Sequence, residues 1–119
     1  MKLTIENINI ICKIPDLVFS PLVLRPVRGI DNQGQWEPTM SLQFQVTNQS
    51  DEIIEEVECH FTTYDEQYHQ ANDEDRHGKR YIEGLKPRHK KSLFFLLEEF
   101  DENATCAELI IAEADSFAD

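Results

Sequence analysis

Apolar and polar residues alternate strictly along Met40-Ser41-Leu42-Gln43-Phe44-Gln45-Val46-Thr47. A period of two belongs to a β-strand with one dry face and one wet face. The pattern predicts that Met40, Leu42, Phe44 and Val46 face a core, while Ser41, Gln43, Gln45 and Thr47 face water. Asn48-Gln49-Ser50-Asp51 then breaks the alternation with turn-forming residues. A second strand is predicted over 53–64. Val57, Cys59, Phe61 and Thr63 share one face, and Glu56, Glu58, His60, Thr62 and Tyr64 share the other. Its glutamates are compatible with a helix, but the β-branched and aromatic content of 57–64 decides for a strand.

The flanks read as further strands. Leu3-Thr4-Ile5 begins as one, and the apolar phase then slips near Glu6-Asn7, so that Ile8, Ile10, Cys12 and Ile14 share a face. The slip predicts a bulge or a bend, and Pro15-Asp16 ends the segment. Residues 17–28 are apolar but carry Pro21 and Pro26, which predicts an irregular edge segment. Residues 22–37 form a predicted hairpin turning at Asp31-Asn32-Gln33-Gly34. Trp36 is expected to act as a lid on the core, and Pro38 to punctuate the chain before the central strand. Downstream, short strands are expected at 68–70 and 79–85. The stretch 91–98 is apolar on both faces, with Leu93, Phe95 and Leu97 against Phe94 and Leu96. Such a strand is either interior or carries an exposed apolar patch. A last strand at 106–114 turns Ala107, Leu109 and Ile111 inward, and 115–119 is a loose tail. Short strands at regular spacing predict a sandwich or barrel. The expectation is one all-β domain, an antiparallel immunoglobulin-like β-sandwich. Residues 1–39 form its N-terminal strand and hairpin elaboration, and 40–114 its core.

Residues 44–113 resemble the FxLYD domain, a small immunoglobulin-like bacterial sandwich. The resemblance rests on Val46-Thr47-Asn48-Gln49-Ser50, on Val57 in the next strand, and on Phe61-Thr62-Thr63-Tyr64-Asp65. Leu85-Lys86-Pro87 and the closing strand Ala107 to Ile111 keep the expected order. Thr63 stands where the family's naming motif has Leu. The resemblance implies the fold and no known chemistry.

Charge changes the picture more than composition does. The 119 residues suit one domain, and 40% hydrophobic content is that of a globular chain. Against 11 basic residues stand 23 acidic ones, a net charge of −12. Residues 1–47 are balanced, so the whole deficit falls in 48–119. Such a chain repels nucleic-acid phosphate. It attracts a basic protein partner, or else uses its charge for solubility alone. Acids cluster at Asp51, Glu52, Glu55, Glu56 and Glu58, and again at Glu98, Glu99, Asp101 and Glu102. Asp51, Glu52, Glu55, Glu56, Glu98, Glu99, Asp101 and Glu102 are the candidate partner-binding residues; a plain solvated surface is the rival reading. Cys12, Cys59 and Cys106 make no close-spaced pair, which fits reduced thiols in a cytoplasmic protein. A Cys59–Cys106 bridge is the rival reading. The start Met1-Lys2-Leu3-Thr4-Ile5-Glu6-Asn7 has no apolar leader, and no run has the length of a membrane span.

Catalytic and metal-binding patterns fail on spacing. His60 and Cys59 are neighbours on a strand and point to opposite faces. His77 and His89 lie among basic residues. Asp73-Glu74-Asp75 lacks the spaced oxygens and the glycine of a calcium loop. No nucleophile motif or phosphate loop is present. The sequence therefore points to a non-enzymatic, cytoplasmic, cofactor-free binding module. In its specific form it is an acidic inhibitor or immunity-type protein on a basic partner. The alternative is a structural subunit held by apolar strand surface.

Overall fold

The computed structural model describes residues 3–30, 33–70, 78–96 and 103–113. Strands β1 (Ile8–Cys12), β2 (Leu17–Phe19), β3 (Val23–Ile30), β4 (Trp36–Asn48), β5 (Ile54–Tyr64), β6 (Lys79–Leu85), β7 (Lys90–Leu96) and β8 (Cys106–Glu113) form two sheets. Sheet A has the order β1-β8-β5-β6; sheet B is built on β4, with β2 and β3 on one edge and β7 on the other. The architecture is an immunoglobulin-like sandwich. β3, β4 and β7 take the places of strands A, B and E; β5 and β8 those of C and F; β6 lies beside C as in variable-type domains. β1 fills the edge beside β8 that the last immunoglobulin strand would take, but it runs parallel to β8. That one pair departs from the expected all-antiparallel pairing.

The central strand forms where alternation predicts it, and Leu42, Phe44 and Val46 are buried. Phe95 lies between two other aromatic rings, 6.4 Å from Phe44 and 5.0 Å from Phe61 by ring centroids. Val57, Cys59, Phe61 and Thr63 face them from sheet A, as expected, together with Leu109 and Ile111. β4 outruns its predicted start, however. Pro38 does not interrupt it, and lies opposite Arg28 of β3. Met40 is 41% exposed rather than buried. Ser41, expected to be wet, is buried between Arg25 and Leu96, its partners on the two adjoining strands.

β2 and β3 are one edge strand broken by a bulge. Phe19 pairs with Val46, but Val23 pairs with Gln43. Ser20, Pro21 and Leu22 thus oppose only Phe44 and Gln45, an excess of one residue. The extra residue flips the side-chain phase. Leu17 and Phe19 point inward before it, and Leu22 and Leu24 after it. The backbone gap is bridged by Ser20, whose N–H donates to the Gln45 carbonyl at 2.8 Å and whose Oγ accepts from the Gln45 N–H at 2.8 Å.

Other expectations shift. Leu3-Thr4-Ile5 makes no strand; the phase slip is a 3-10 turn at Ile5–Asn7. Residues 68–70 give a single bridge, Gln70 to Tyr64, rather than a strand. All three cysteines are free thiols. Cys59 points into the core, whereas Cys106 pairs with Tyr64 on the outer side of the same sheet, so the two cannot bridge. The Trp36 side chain, the Asp73-Glu74-Asp75 run and the 115–119 tail lie outside the described residues.

Candidate functional site

The end of the sandwich where β4 passes to β5 and β6 turns into β7 is organised by Asn48. This side chain is fully buried. Its Nδ2 donates to the carbonyls of Glu52 at 2.8 Å and Leu85 at 2.9 Å. Its Oδ1 accepts from the Ser50 N–H at 2.9 Å and the Ser50 hydroxyl at 2.7 Å. The Asn48 backbone completes the latch, donating to His89 O and accepting from Arg88 N–H. Arg88 adopts φ 65, a left-handed conformation that costs an ordinary residue roughly 1–2 kcal/mol. In that geometry its guanidinium donates to the Gln49 carbonyl and, at 2.8 Å, to Asp51. The two turns are thereby held as one unit.

Carboxylates gather on this unit. A shallow cleft of about 350 Å³ has Ile14, Pro15 and Ile53 among its walls, with Asp16, Glu52, Glu55, Glu56 and Glu113 around it. All five acids are exposed. From Glu56 the acidic surface continues over the outer face of sheet A. Glu56 stands directly opposite Glu83, and Glu58 opposite Tyr81. Like charges in directly opposed positions destabilise a sheet. The Tyr81 hydroxyl donates to the Glu56 carboxylate; that bond, with the carboxylates around it, raises the tyrosine's pKa above its usual 10.0.

Of the sequence-predicted residues, Glu52, Glu55 and Glu56 meet at the cleft, and Asp51 is engaged beside it with Arg88. Glu98, Glu99, Asp101 and Glu102 lie outside the described residues. The strand ends that flank them, Leu96 and Cys106, pair with Ser41 and Tyr64, at the far end of the sandwich from the 49–53 turn. Asp16, Glu83 and Glu113 escaped the sequence reading as site residues. Glu113 comes to the cleft by pairing with Val57, and Asp16 by its carbonyl accepting from the Gln49 N–H beside the Leu17–Asn48 pair, links that no local pattern announces.

Elsewhere the chemistry is quiet. Burial raises the Cys59 thiol to about 12, which leaves it unreactive. Among the described residues no three His, Cys, Asp or Glu side chains gather to hold a metal ion. No helix among them is long and apolar enough to cross a membrane.

Fold and surface together define a class: a small β-sandwich with a carboxylate-rimmed cleft at one end. No protein-family model matches the chain, and no curated protein matches it. Among solved structures it is similar to a DUF1425 family member from Shewanella sp. pv-4, at 16% identity and a TM-score of 0.48, over 80% of this chain and 97% of that one. A likeness at that level assigns no residue a role.

Proposed function

We propose that the chain is a non-enzymatic, cytoplasmic protein-binding module of FxLYD type. In this reading it is an inhibitor or immunity-type protein that takes a basic partner on its acidic end. The observation that carries the reading is the set of Asp16, Glu52, Glu55, Glu56 and Glu113 around one cleft, beside the double turn that Asn48 holds together. A lysine or arginine entering the cleft would meet several carboxylates at once, with Ile53 and Pro15 to cover its aliphatic stem. Glu56 opposite Glu83 supports the same reading, because a like-charge pair is a local conflict of the kind found at functional sites. The partner recovered by pull-down from the source cell should associate faster at low salt than at high salt. Reversing Glu52, Glu55, Glu56 and Glu113 to Lys should slow association without unfolding the chain, since exposed single charges contribute little to folding. A separate variant reversing Glu98, Glu99, Asp101 and Glu102 reports on the second acidic cluster. An acidic partner, or an unchanged on-rate in both variants, refutes electrostatic docking.

A second reading, a structural subunit or adaptor, is favoured by a different observation. Phe94 is 52% exposed on the outer face of sheet B, with Val23 (39%) across β4 from it.

A further inference from the structure

Two arginines stand apart from the rest of the charge. The chain holds 23 acidic residues against 11 basic ones, so a base without a carboxylate is the exception. Among the described residues, no hydrogen bond or ion pair engages the guanidinium of Arg25 or Arg28. Both lie on β3, in sheet B. The strands of that sheet hold Arg25, Arg28, Lys90 and Lys91 against one acid, Glu37. Sheet A has the opposite balance, with six carboxylates from Glu55 to Glu113 against Lys79 and Arg80. The sheets of a sandwich lie ~10 Å apart, beyond the ~8 Å Debye length at physiological salt. The outer face of sheet B therefore keeps its own local sign.

Both arginines border a trough that runs along β4. Cavities of about 420 and 380 Å³ adjoin there, sharing Gln43 and Phe94; Arg25 borders the first and Arg28 the second. The register of β3, β4 and β7 sets the order of the walls. Val23 and Phe94 stand on either side of Gln43, and Phe94 is 52% exposed. Two positions along, Arg25 and Leu96 stand on either side of Ser41. Residues two apart share a face of the sheet, so an apolar waist is followed ~7 Å further on by a guanidinium. β3 and β7 lie two strand spacings apart, roughly 10 Å, which leaves room for one extended chain. The polar floor is paired within itself. Gln43 Nε2 donates to Ser41 Oγ at 3.1 Å, and Gln45 Nε2 donates to Ser92 Oγ at 3.2 Å. The two glutamine carbonyls accept from no described group, and so can take N–H groups of an incoming backbone.

We propose that this trough binds an extended acidic segment of a partner protein, one in which an apolar residue and an aspartate or glutamate stand two positions apart. The proposal rests on the second reading above, the adaptor, and names the chemistry of what it holds. The apolar side chain fills the waist between Val23 and Phe94. The carboxylate reaches Arg25, whose planar guanidinium can donate two parallel hydrogen bonds to it. Arg28, in the adjoining cavity, takes a second carboxylate further along. An extended chain sets alternate side chains on one face at the same ~7 Å step, so one register satisfies both the waist and Arg25. A single strand also fills a concave trough down to its floor, and the charges that meet are of opposite sign. A nucleic acid fits less well. It brings a phosphate at every step, more than two arginines neutralise, against the field of a chain at −12.

Nitrogen-15 NMR titration of the full chain with the end-capped peptide Ser-Glu-Ser-Leu-Ser-Glu-Ser, at physiological salt, tests the proposal. The peptide presents the same spacing in either direction. Resonances of β3, β4 and β7 around Arg25, Gln43 and Phe94 should shift, with a Kd below about 1 mM. Glutamine in place of both glutamates should weaken binding about fivefold or more, and serine in place of the leucine likewise. Arg25→Glu should lose the acidic peptide and accept its lysine counterpart, an exchange of preference that an unfolded variant cannot show. Phe94→Ala should weaken binding, and Glu58→Lys, on sheet A, should change nothing. The proposal is overturned if the glutamine peptide binds as well as the glutamate one, if the shifts fall outside sheet B, or if oligothymidylate binds more tightly. If the acidic peptide leaves the trough unshifted while Phe94→Glu abolishes assembly with a captured protein, the adaptor reading stands and this proposal falls. Peptide binding in the trough, with assembly untouched by Phe94→Glu, supports the site and removes the structural-subunit role.

Discussion

Replacing Asn48 by alanine should be among the most damaging single changes available in this chain. The side chain makes four hydrogen bonds, two as donor and two as acceptor, and has no exposed surface. Its truncation strips the buried Leu85 carbonyl of this donor, which costs about 1–3 kcal/mol. The Ser50 N–H and hydroxyl lose their acceptor, at about 1 kcal/mol each before water compensates, since both lie near the surface. The Glu52 carbonyl loses less, because the Ser50 hydroxyl also donates to it at 2.8 Å. With a small cavity added, the loss is about 3–5 kcal/mol, a large share of the 5–15 kcal/mol of a typical domain. Tm should fall by roughly 10–20 °C. Urea unfolding followed by far-ultraviolet circular dichroism measures the change as a lower midpoint at an unchanged slope. Gln49→Ala, one residue along and exposed, serves as the control. Asn48→Asp sharpens the test. A carboxylate facing the Glu52 and Leu85 carbonyls meets repulsion where the amide donated, so its pKa in the fold is raised above the unfolded ~3.9. The variant's deficit should therefore shrink as pH falls below that raised value, where the protonated acid can donate, and should be greatest at neutral pH. If Asn48→Ala costs no more than Gln49→Ala, the two turns are not held together by this side chain.

Two further outcomes follow from the core. Phe44→Ala should cost about 3–5 kcal/mol, and Phe95→Ala at least as much, because Phe95 contacts both other rings; an unchanged denaturation midpoint in either variant would contradict the observed register. Unreduced, denatured protein should titrate three thiols, while native Cys59 should resist alkylation at pH 8; its pKa rises from 9.0 unfolded to about 12 folded, so its contribution to stability is complete below pH 9 and is lost as pH climbs toward 12, and a native Cys59 that reacts as fast as a free thiol would refute its burial.

The strands that alternation marked are the strands that formed, because a half-buried strand must write its two environments into alternate residues. β5, β8 and β4 from Leu42 onward face the core with the residues the pattern assigned to it, while Met40, assigned to the core, is exposed. What escaped the sequence depends on distant partners. Nothing local distinguishes Pro21 as part of a bulge from Pro21 as a strand break; the difference lies in whether Ser20 finds Gln45 across the sheet. Leu3-Thr4-Ile5 has strand-like text, yet the chain spends it on a turn that leads β1 alongside β8. The candidate site divides in the same way. Glu52, Glu55 and Glu56 lie close together in sequence and are visible there as a cluster. Asp16 and Glu113 join them through the distant pairings of Leu17 with Asn48 and of Glu113 with Val57. Asn48 read only as a turn residue, because the burial that gives it a larger role is a property of two turns meeting.

The acidic surface should leave a mark on stability that can be measured before any partner is known. Glu56 and Glu83 are directly opposed across β5 and β6, with Cβ atoms about 5 Å apart in such a pair. Two carboxylates at about 5 Å repel by roughly 0.8 kcal/mol in water. Raising ionic strength shortens the screening length from ~30 Å at 0.01 M to ~8 Å at 0.15 M, which relieves part of this pair and more of the summed field of a chain at −12. The isolated protein should therefore gain stability with modest salt, on the order of 1 kcal/mol over that range. Glu83→Lys converts the repulsion into an attraction. It should stabilise the chain at low salt by about 0.5–1 kcal/mol and flatten the salt dependence. A glutamate at a position where lysine would be more stabilising is a local conflict of the kind found at functional sites. Should Glu83→Lys leave both stability and salt response unchanged, the carboxylates are too well solvated to interact, and the charge of this face would serve solubility rather than a basic partner.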